Sequence, residues 1–441
     1  MAGFTPHTPA EVKEMLGAAG LTGIRELFAD IPEDLAPKSF KIPAGMTEYE
    51  ALSVLNSMAA KNNTSAAVFM GGGYYDHFIP AAVDAISSRA EFYTAYTPYQ
   101  PEASQGTLQA IFEYQTMMAK LSGLEVSNAS LYDGGTALYE AIAMAIRTNN
   151  RSKVIIDKGV NPIYRQIVKT YAANQKIEIM EVDMKDIYTD REKIKSMLDE
   201  SISAVVMQTP NYFGIVDDFS DIFKSAQEKG ITKIAVFYPM SLGILKTPGE
   251  MNADIAVADG QSLGLPLSFG GPYLGIMAAS KGYVRKMPGR IVGETVDKNG
   301  TKCYVLTLQA REQHIRREKA TSNICSNQAL CALRAVVYLA LLGREGFRKA
   351  SLVNFEKAEY LKSKLKKLAE IKKGTTFNEF TVKLDCGAAV FAKKMLAKGF
   401  AAGIPASFYY PDKKNYLIIA ATEKRTKKEM DDFAAAFKSA L

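Results

Sequence analysis

Between residues 154 and 278, short apolar runs alternate with stretches of helical pattern, and this rhythm limits the folds open to the chain more than any other feature. The runs at 154–156, 177–182, 204–208, 234–237, 255–258 and 274–278 are predicted strands, and 162–173, 191–198 and 219–228 are predicted helices between the earlier ones. Such alternation predicts an α/β fold around a mostly parallel sheet. Residues 1–65 are expected to form a helical arm. There Thr8, Pro9 and Glu11 supply an N-cap, a proline at the first helical position and a capping-box acid ahead of Val12, Met15 and Leu16. An arm of this kind either wraps a neighbouring subunit or pads its own core. Residues 66–325 are expected to form the large α/β domain. Residues 326–441 form a smaller α+β domain with long helices, a strand at 416–420 and a further strand at 388–391.

A chain of 441 residues, 47% hydrophobic and 23% charged, can bury one large core or two medium ones. No apolar stretch approaches the roughly 20 residues that span a bilayer. The start carries neither a basic nor an apolar leader region, so no membrane association and a cytoplasmic location are expected. The four cysteines include no CxxC pair, and the three histidines fall at no ligand spacing, so neither a disulfide framework nor a metal site is expected. The net charge of +7 is spread along the chain and does not signal nucleic acid. Its one basic concentration, KAEYLKSKLKKLAEIKK at 357–373, sets Leu361, Leu365 and Leu368 beneath a lysine-rich face. That face is a solvated helix surface or a dock for an acidic partner.

Chemistry concentrates in a few segments. Asp133, Gly134, Gly135 and Thr136 close an apolar run and open a helix, the form of a phosphate-binding turn and equally of a plain turn and cap. Gln208, Pro210, Asn211 and Gly214 form a strand-to-loop turn that either delivers Asn211 to a cleft or only ends a buried strand. In 91–109, EFYTAYTPYQPEASQGTLQ, the tyrosines Tyr93, Tyr96 and Tyr99 crowd with Thr97, Gln100 and Glu102. Polar aromatics in a loop suit a surface that needs apolar contact together with directed hydrogen bonds. His77 follows three glycines and two tyrosines, and is a packed loop residue or an interface donor. His314 lies among Arg311, Arg316 and Arg317, a cluster able to hold an anion or to form intersubunit salt bridges.

The stretch 254–272, DIAVADGQSLGLPLSFGGP, resembles the cofactor-lysine segment of pyridoxal-phosphate enzymes, with Gln261 where the lysine would stand five residues before Pro266. Together with GGGYYDH at 71–77, NASLYD at 128–133, TLQAREQHIRR at 307–317, KATSNIC at 319–325 and TEKR at 422–425, it is similar over nearly the whole chain to glycine decarboxylase, the P-protein family of the glycine cleavage system. Tyr238-Pro239 departs from the Asp-Pro pair often found in that family at the acid that faces the cofactor ring.

The resemblance implies an aminotransferase-like fold of type I and the lysine-free alpha subunit, subunit 1. It implies no cofactor held covalently by this chain, and Asp133, Gly134, Gly135 and Thr136 as a vestigial phosphate loop. Pyridoxal phosphate is then expected on a beta subunit, subunit 2, in an α2β2 assembly that decarboxylates glycine and passes the aminomethyl group to the lipoyl arm of H-protein. Tyr93, Tyr96, Thr97, Tyr99, Gln100, Glu102 and His77 are expected to contribute to an interfacial substrate cleft. Two alternatives stand beside this one: a regulatory or scaffolding pseudo-enzyme, and an autonomous pyridoxal-phosphate enzyme using Lys246 or Lys281.

Overall fold

In the computed structural model, which describes residues 6–39 and 41–441 and the backbone alone of Arg311, each of the six predicted runs overlaps a strand of one sheet. The leader reading at residues 1–5 lies outside the described residues. In chain order the strands are β1 (Val126–Ser127), β2 (Lys153–Asp157), β3 (Glu178–Val182), β4 (Ile202–Thr209), β5 (Thr232–Phe237), β6 (Ile255–Asp259) and β7 (Gly275–Ala279). Their spatial order is β1-β7-β6-β5-β4-β2-β3, parallel from β3 to β6 and antiparallel at β7 and β1.

Burial on both faces explains why the strands read as unbroken apolar runs. On one face Val154, Ile156, Val206, Ile234 and Val257 meet Leu138, Ile142 and Ala145 of α1 (Gly134–Asn149). On the other, Ile155, Val205, Met207 and Ala235 meet Ile222 and Phe223 of the helix Ser220–Glu228. Adjacent residues of β2 and β4 thus serve opposite layers, as the pleat requires.

The chain forms two units, Met1–Thr64 and Ser65–Leu441. In the first, the helix Pro9–Ala18 carries the predicted capping box: the Glu11 amide donates to Thr8 Oγ1 at 3.3 Å and the Thr8 amide to Glu11 Oε2 at 2.6 Å. In the second, α2 (Ala329–Leu365) begins beside the sheet, where Ala332 and Val336 are buried, and breaks at Gly343 (φ 60°, ψ −176°). It ends in another core, where Leu361 and Leu365 pack with Phe380, Phe391, Phe433 and Phe437 around a four-stranded antiparallel sheet.

Two expectations for this end of the chain are corrected. The run at 388–391 is not a strand but opens the helix Ala388–Leu396, because Ala388, Phe391 and Met395 share one buried face at helical spacing. The basic helix stops at Leu365, and Glu370–Ile371 is a short strand paired with Lys383 and Val382. Several of its lysines are already engaged within the chain, Lys362 with Glu359 and Lys364 with Asp431. A hairpin of Ile291–Val296 and Lys302–Thr307 has no counterpart among the predicted elements. No described helix is long and apolar enough to cross a membrane.

Glu379, at the start of a strand in the second sheet, joins the two ends of the chain. Its buried carboxyl accepts from the Gly72 amide at 2.7 Å and from the Tyr75 hydroxyl at 2.9 Å. A Cβ on Gly71 would lie 2.3 Å from Glu379 Oε1, so the approach needs glycine there.

Two outcomes are expected. Leu361→Ala leaves a cavity under the basic helix and should cost about 2–5 kcal/mol in urea unfolding, against less than about 0.5 for exposed Lys366→Ala. Burial pushes Glu379 from 4.5 up to about 7, against the pull of its two donors. Between those pH values only the folded state holds the proton, so stability falls as pH rises, by about 3 kcal/mol across the window. Glu379→Gln keeps the Gly72 bond through its oxygen, reverses the other so that Nε2 donates to the Tyr75 oxygen, and cannot ionise, so the variant should gain on the parent between pH 5 and pH 8. An equal difference at both pH values would refute the assignment.

Candidate functional site

Open parallel sheets present their functional residues beyond the carboxyl ends of the strands. Here β6 ends at Asp259, and Gln261 follows two residues later. The Gln261 side chain is buried and copies a peptide group: its Oε1 accepts the Tyr75 amide at 2.9 Å, while Nε2 donates to the Tyr75 carbonyl at 3.0 Å and the Leu265 carbonyl at 2.9 Å. A lysine ammonium has donors and no acceptor, so it would orphan the Tyr75 amide. Glutamine therefore has a structural task of its own at this position.

The turn Asp133-Gly134-Gly135-Thr136 forms the N-terminus of α1, and the donors of Gly134 and Thr136 are engaged within the chain. The Gly134 amide donates to Asp259 Oδ2 at 3.0 Å, and the Thr136 amide and hydroxyl donate to Asp133 at 2.8 and 3.1 Å. The space is filled as well: a Cβ on Gly134 would lie 2.4 Å from the Tyr164 hydroxyl, and one on Gly135 would lie 2.4 Å from Ile167 Cδ1. Burial pushes Asp259 up to about 7, and the nearby Asp133 charge adds to the rise, while three backbone donors oppose it. A phosphate dianion would meet two carboxyl groups already seated on the amides it needs. The residues present here do not fit pyridoxal phosphate.

Tyr238 meets a histidine rather than supplying an anion. Its hydroxyl bonds His77 Nε2, its ring lies 4.6 Å from that of Tyr75, and His77 Nδ1 lies 2.8 Å from Glu423 Oε2. Burial would raise the Glu423 acid, but the hydrogen bond and charge of His77 outweigh it and hold the carboxyl at about 2. Glu423 also accepts from the Phe78 amide at 2.6 Å and from Asn354 Nδ2 at 2.8 Å. Thr422 donates to the Asp76 carbonyl at 2.7 Å, and Lys424 pairs with the Asp76 carboxylate at 2.6 Å. The glycine-rich segment 71–77 and the distant TEKR segment are thus one built unit. His77 is buried with both ring nitrogens engaged, and it lines a cleft together with Tyr75, Gln261, Leu265, Pro266 and Lys424.

The tyrosine loop is more open. Tyr93 and Tyr96 are 66% and 74% exposed, Tyr99 is 46% exposed, Gln100 and Glu102 are exposed and Thr97 is half-buried. The loop is tied at two points: the Tyr96 hydroxyl to Ser326 Oγ at 3.0 Å, and the Tyr99 hydroxyl accepting from Arg290 at 3.1 Å. The helix that follows it, Gln105–Ser122, uses two more glutamines as peptide mimics. Gln105 exchanges bonds of 2.8 and 2.9 Å with the Tyr304 backbone, and Gln115 exchanges two of 2.9 Å with that of Val292. Tyr93 and Tyr96 line an apolar groove with Ile111, Leu330 and Leu333. No residue lines both this groove and the Gln261 cleft.

Other candidate residues find duller partners. Asn211 spends its amide on its own loop, accepting from the Phe213 and Ile215 amides at 3.0 and 3.1 Å and donating to the Ile187 carbonyl at 3.0 Å. Lys246 pairs with Asp218 at 2.8 Å and donates to Ser220 at 2.9 Å. Lys281 follows Ala279, which pairs with Ile255 at the start of β6, so it stands at the opposite end of the strand from Gln261. His314 lies 3.6 Å from Glu312, and the Arg311 side chain lies outside the described residues. Sequence reasoning missed Asp259, which reads there only as the polar end of an apolar run. It also missed Arg290, Glu379 and Glu423 as partners, since each acts on residues far away in the chain.

Residues 2–437 match the family model described as Glycine cleavage system P-protein. The probable glycine dehydrogenase (decarboxylating) subunit 1 of Citrifermentans bemidjiense is 53% identical over 442 residues, covering 100% of this chain and 99% of that one. The protein of the same description from Maridesulfovibrio salexigens is 50% identical, over 99% and 100% of the two chains. The crystal structure of a glycine decarboxylase (P-protein) of the glycine cleavage system, in inhibitor-bound form, is 40% identical with a TM-score of 0.93, each chain being covered in full. Lactobacillus brevis glutamate decarboxylase, 13% identical with a TM-score of 0.68 over 95% and 96% of the two chains, shares the fold alone. The architecture is that of pyridoxal-phosphate-dependent transferases of fold type I, as the sequence led us to expect. With the family model spanning almost every residue and relatives half identical across their full length, this chain belongs to the glycine cleavage system P-protein family.

Proposed function

We propose that this chain is the lysine-free subunit 1 of a heteromeric glycine dehydrogenase (decarboxylating), and that a second subunit carries the pyridoxal phosphate. In this reading the α2β2 assembly decarboxylates glycine and passes the aminomethyl group to the lipoyl arm of H-protein. The observation that carries it is the buried Gln261 amide, bonded three times at the position of the family's lysine in a chain otherwise similar to the family throughout. The carboxyls of Asp133 and Asp259 on the α1 amides support the same division of labour.

The contribution of this chain is then a surface. Tyr93, Tyr96, Thr97, Tyr99, Gln100 and Glu102 combine exposed ring area with hydroxyl, amide and carboxylate groups, the mixture suited to closing a partner's cleft. His77, fixed by Glu423 and Tyr238, forms one wall of the neighbouring cleft at Gln261.

Gln261→Lys tests the division of labour. The isolated variant, incubated with pyridoxal phosphate and reduced with borohydride, should carry no label at residue 261. It should also unfold about 1–3 kcal/mol more easily because the Tyr75 amide loses its acceptor. A trapped label at that residue would overturn the reading. In the reconstituted complex, Tyr96→Ala and Glu102→Ala should each lower turnover roughly tenfold, about 1.4 kcal/mol of transition-state stabilisation, while size-exclusion profiles stay unchanged. Full turnover in both variants would instead favour a scaffolding subunit.

A further inference from the structure

Among the described residues Arg165, Arg290 and Arg425 are buried, and the Nε of the latter two has no hydrogen-bond acceptor. Arg165 has every nitrogen engaged: its Nε donates to the Val160 carbonyl at 3.0 Å, and its terminal nitrogens donate to Glu181 and to the Tyr410 hydroxyl at 2.6 and 3.1 Å. That is how an arginine serving the fold is normally kept, with its donors spent on acceptors inside the chain. Arg290 is 3% exposed, yet its buried Nε has no hydrogen-bond acceptor among the described residues. Glu312 Oε2 lies 3.6 Å from that nitrogen, near enough for charge pairing and too far for a hydrogen bond.

What Arg290 does engage is Tyr99 of the exposed loop. The guanidinium lies 5.4 Å from the ring centroid and donates to the hydroxyl oxygen at 3.1 Å. His314 packs edge-on against the same ring at 5.8 Å, and its Nδ1 lies 3.6 Å from Glu312. Tyr99 is therefore gripped by a cation on its face and an imidazole on its edge, with one carboxylate close to both. Because its oxygen accepts from Arg290, the hydroxyl proton is left to point elsewhere, and a phenol that accepts from a cation is a stronger donor through its own proton.

We infer that Arg290 is a positioning residue that sets the Tyr99 hydroxyl as an outward donor to the carboxylate of the amino-acid substrate in the completed cleft. This rests on the proposal that the tyrosine loop lines that cleft, and it selects Tyr99 among the three tyrosines.

The test uses the reconstituted two-subunit enzyme with H-protein. Tyr99→Phe and Arg290→Lys should each raise the KM for glycine roughly tenfold, with kcat changed less than about threefold and the complex intact by size exclusion. The double variant should be no worse than Tyr99→Phe alone, because both remove the same contact. Tyr99→Phe removes one hydroxyl from a residue 46% exposed, so it still decides the matter if Arg290→Lys folds poorly. An unchanged KM in Tyr99→Phe overturns the inference, and so do effects of the two substitutions that multiply. Measuring Tyr96→Ala and Glu102→Ala alongside separates the two levels. If those variants lose turnover while Tyr99→Phe does not alter KM, only the role of Arg290 and Tyr99 fails; if none has an effect, the loop is not in the cleft at all.

Discussion

The pairing of the Gln261 amide with the backbone of Tyr75 is the interaction on which the candidate site depends. It joins the end of β6 to the glycine-rich segment 71–77, nearly two hundred residues earlier, through a donor and an acceptor on one side chain. Gln105 and Gln115 repeat the device against Tyr304 and Val292. In each case a primary amide stands in for a strand that is not there. Neither a carboxylate nor an ammonium can do this, since each lacks one half of the exchange. A lysine at the same position would supply donors only and leave the Tyr75 amide without its acceptor.

Around this point the chain's own acids occupy the amides. Asp259 and Asp133 sit on the first turn of α1, Glu379 on Gly72, and Glu423 on Phe78. Their surroundings divide them by charge. Glu423 faces His77 and is held at about 2, whereas burial lifts Asp259, which also lies near Asp133, and Glu379, which meets an amide and a phenol, to about 7. These amides are thus satisfied by carboxyl groups of the chain itself. That arrangement satisfies the buried donors at the expense of groups that resist ionisation.

What the sequence made legible follows from the range of each interaction. The strands of the large sheet were readable because burial on both faces writes an unbroken apolar run into consecutive residues. Ala388 to Phe391 misled because four apolar residues carry no period, and Met395, which decides for a helix, lies beyond them. The hairpin Ile291–Val296 and Lys302–Thr307 escaped because Gly293, Glu294 and Thr295 break its apolar pattern. At the site, the resemblance set Gln261 five residues before Pro266, where the family's lysine is expected. The use of Gln261 could not be seen, because its partner is a backbone group and backbone groups have no letter. Arg290 was silent for a similar reason: nothing near it in the chain announces Tyr99.

The bond between His77 and Glu423 also has a bearing on how the molecule is made. Its two ends are 346 positions apart, so on the ribosome the imidazole is synthesised long before the carboxylate that orients it. Until residues 422–425 emerge, Asp76 and the Phe78 amide lack the partners given above, and His77 has only Tyr238. The wall that His77 gives the cleft is therefore completed by contacts of long range in sequence, to Tyr238 and to Glu423.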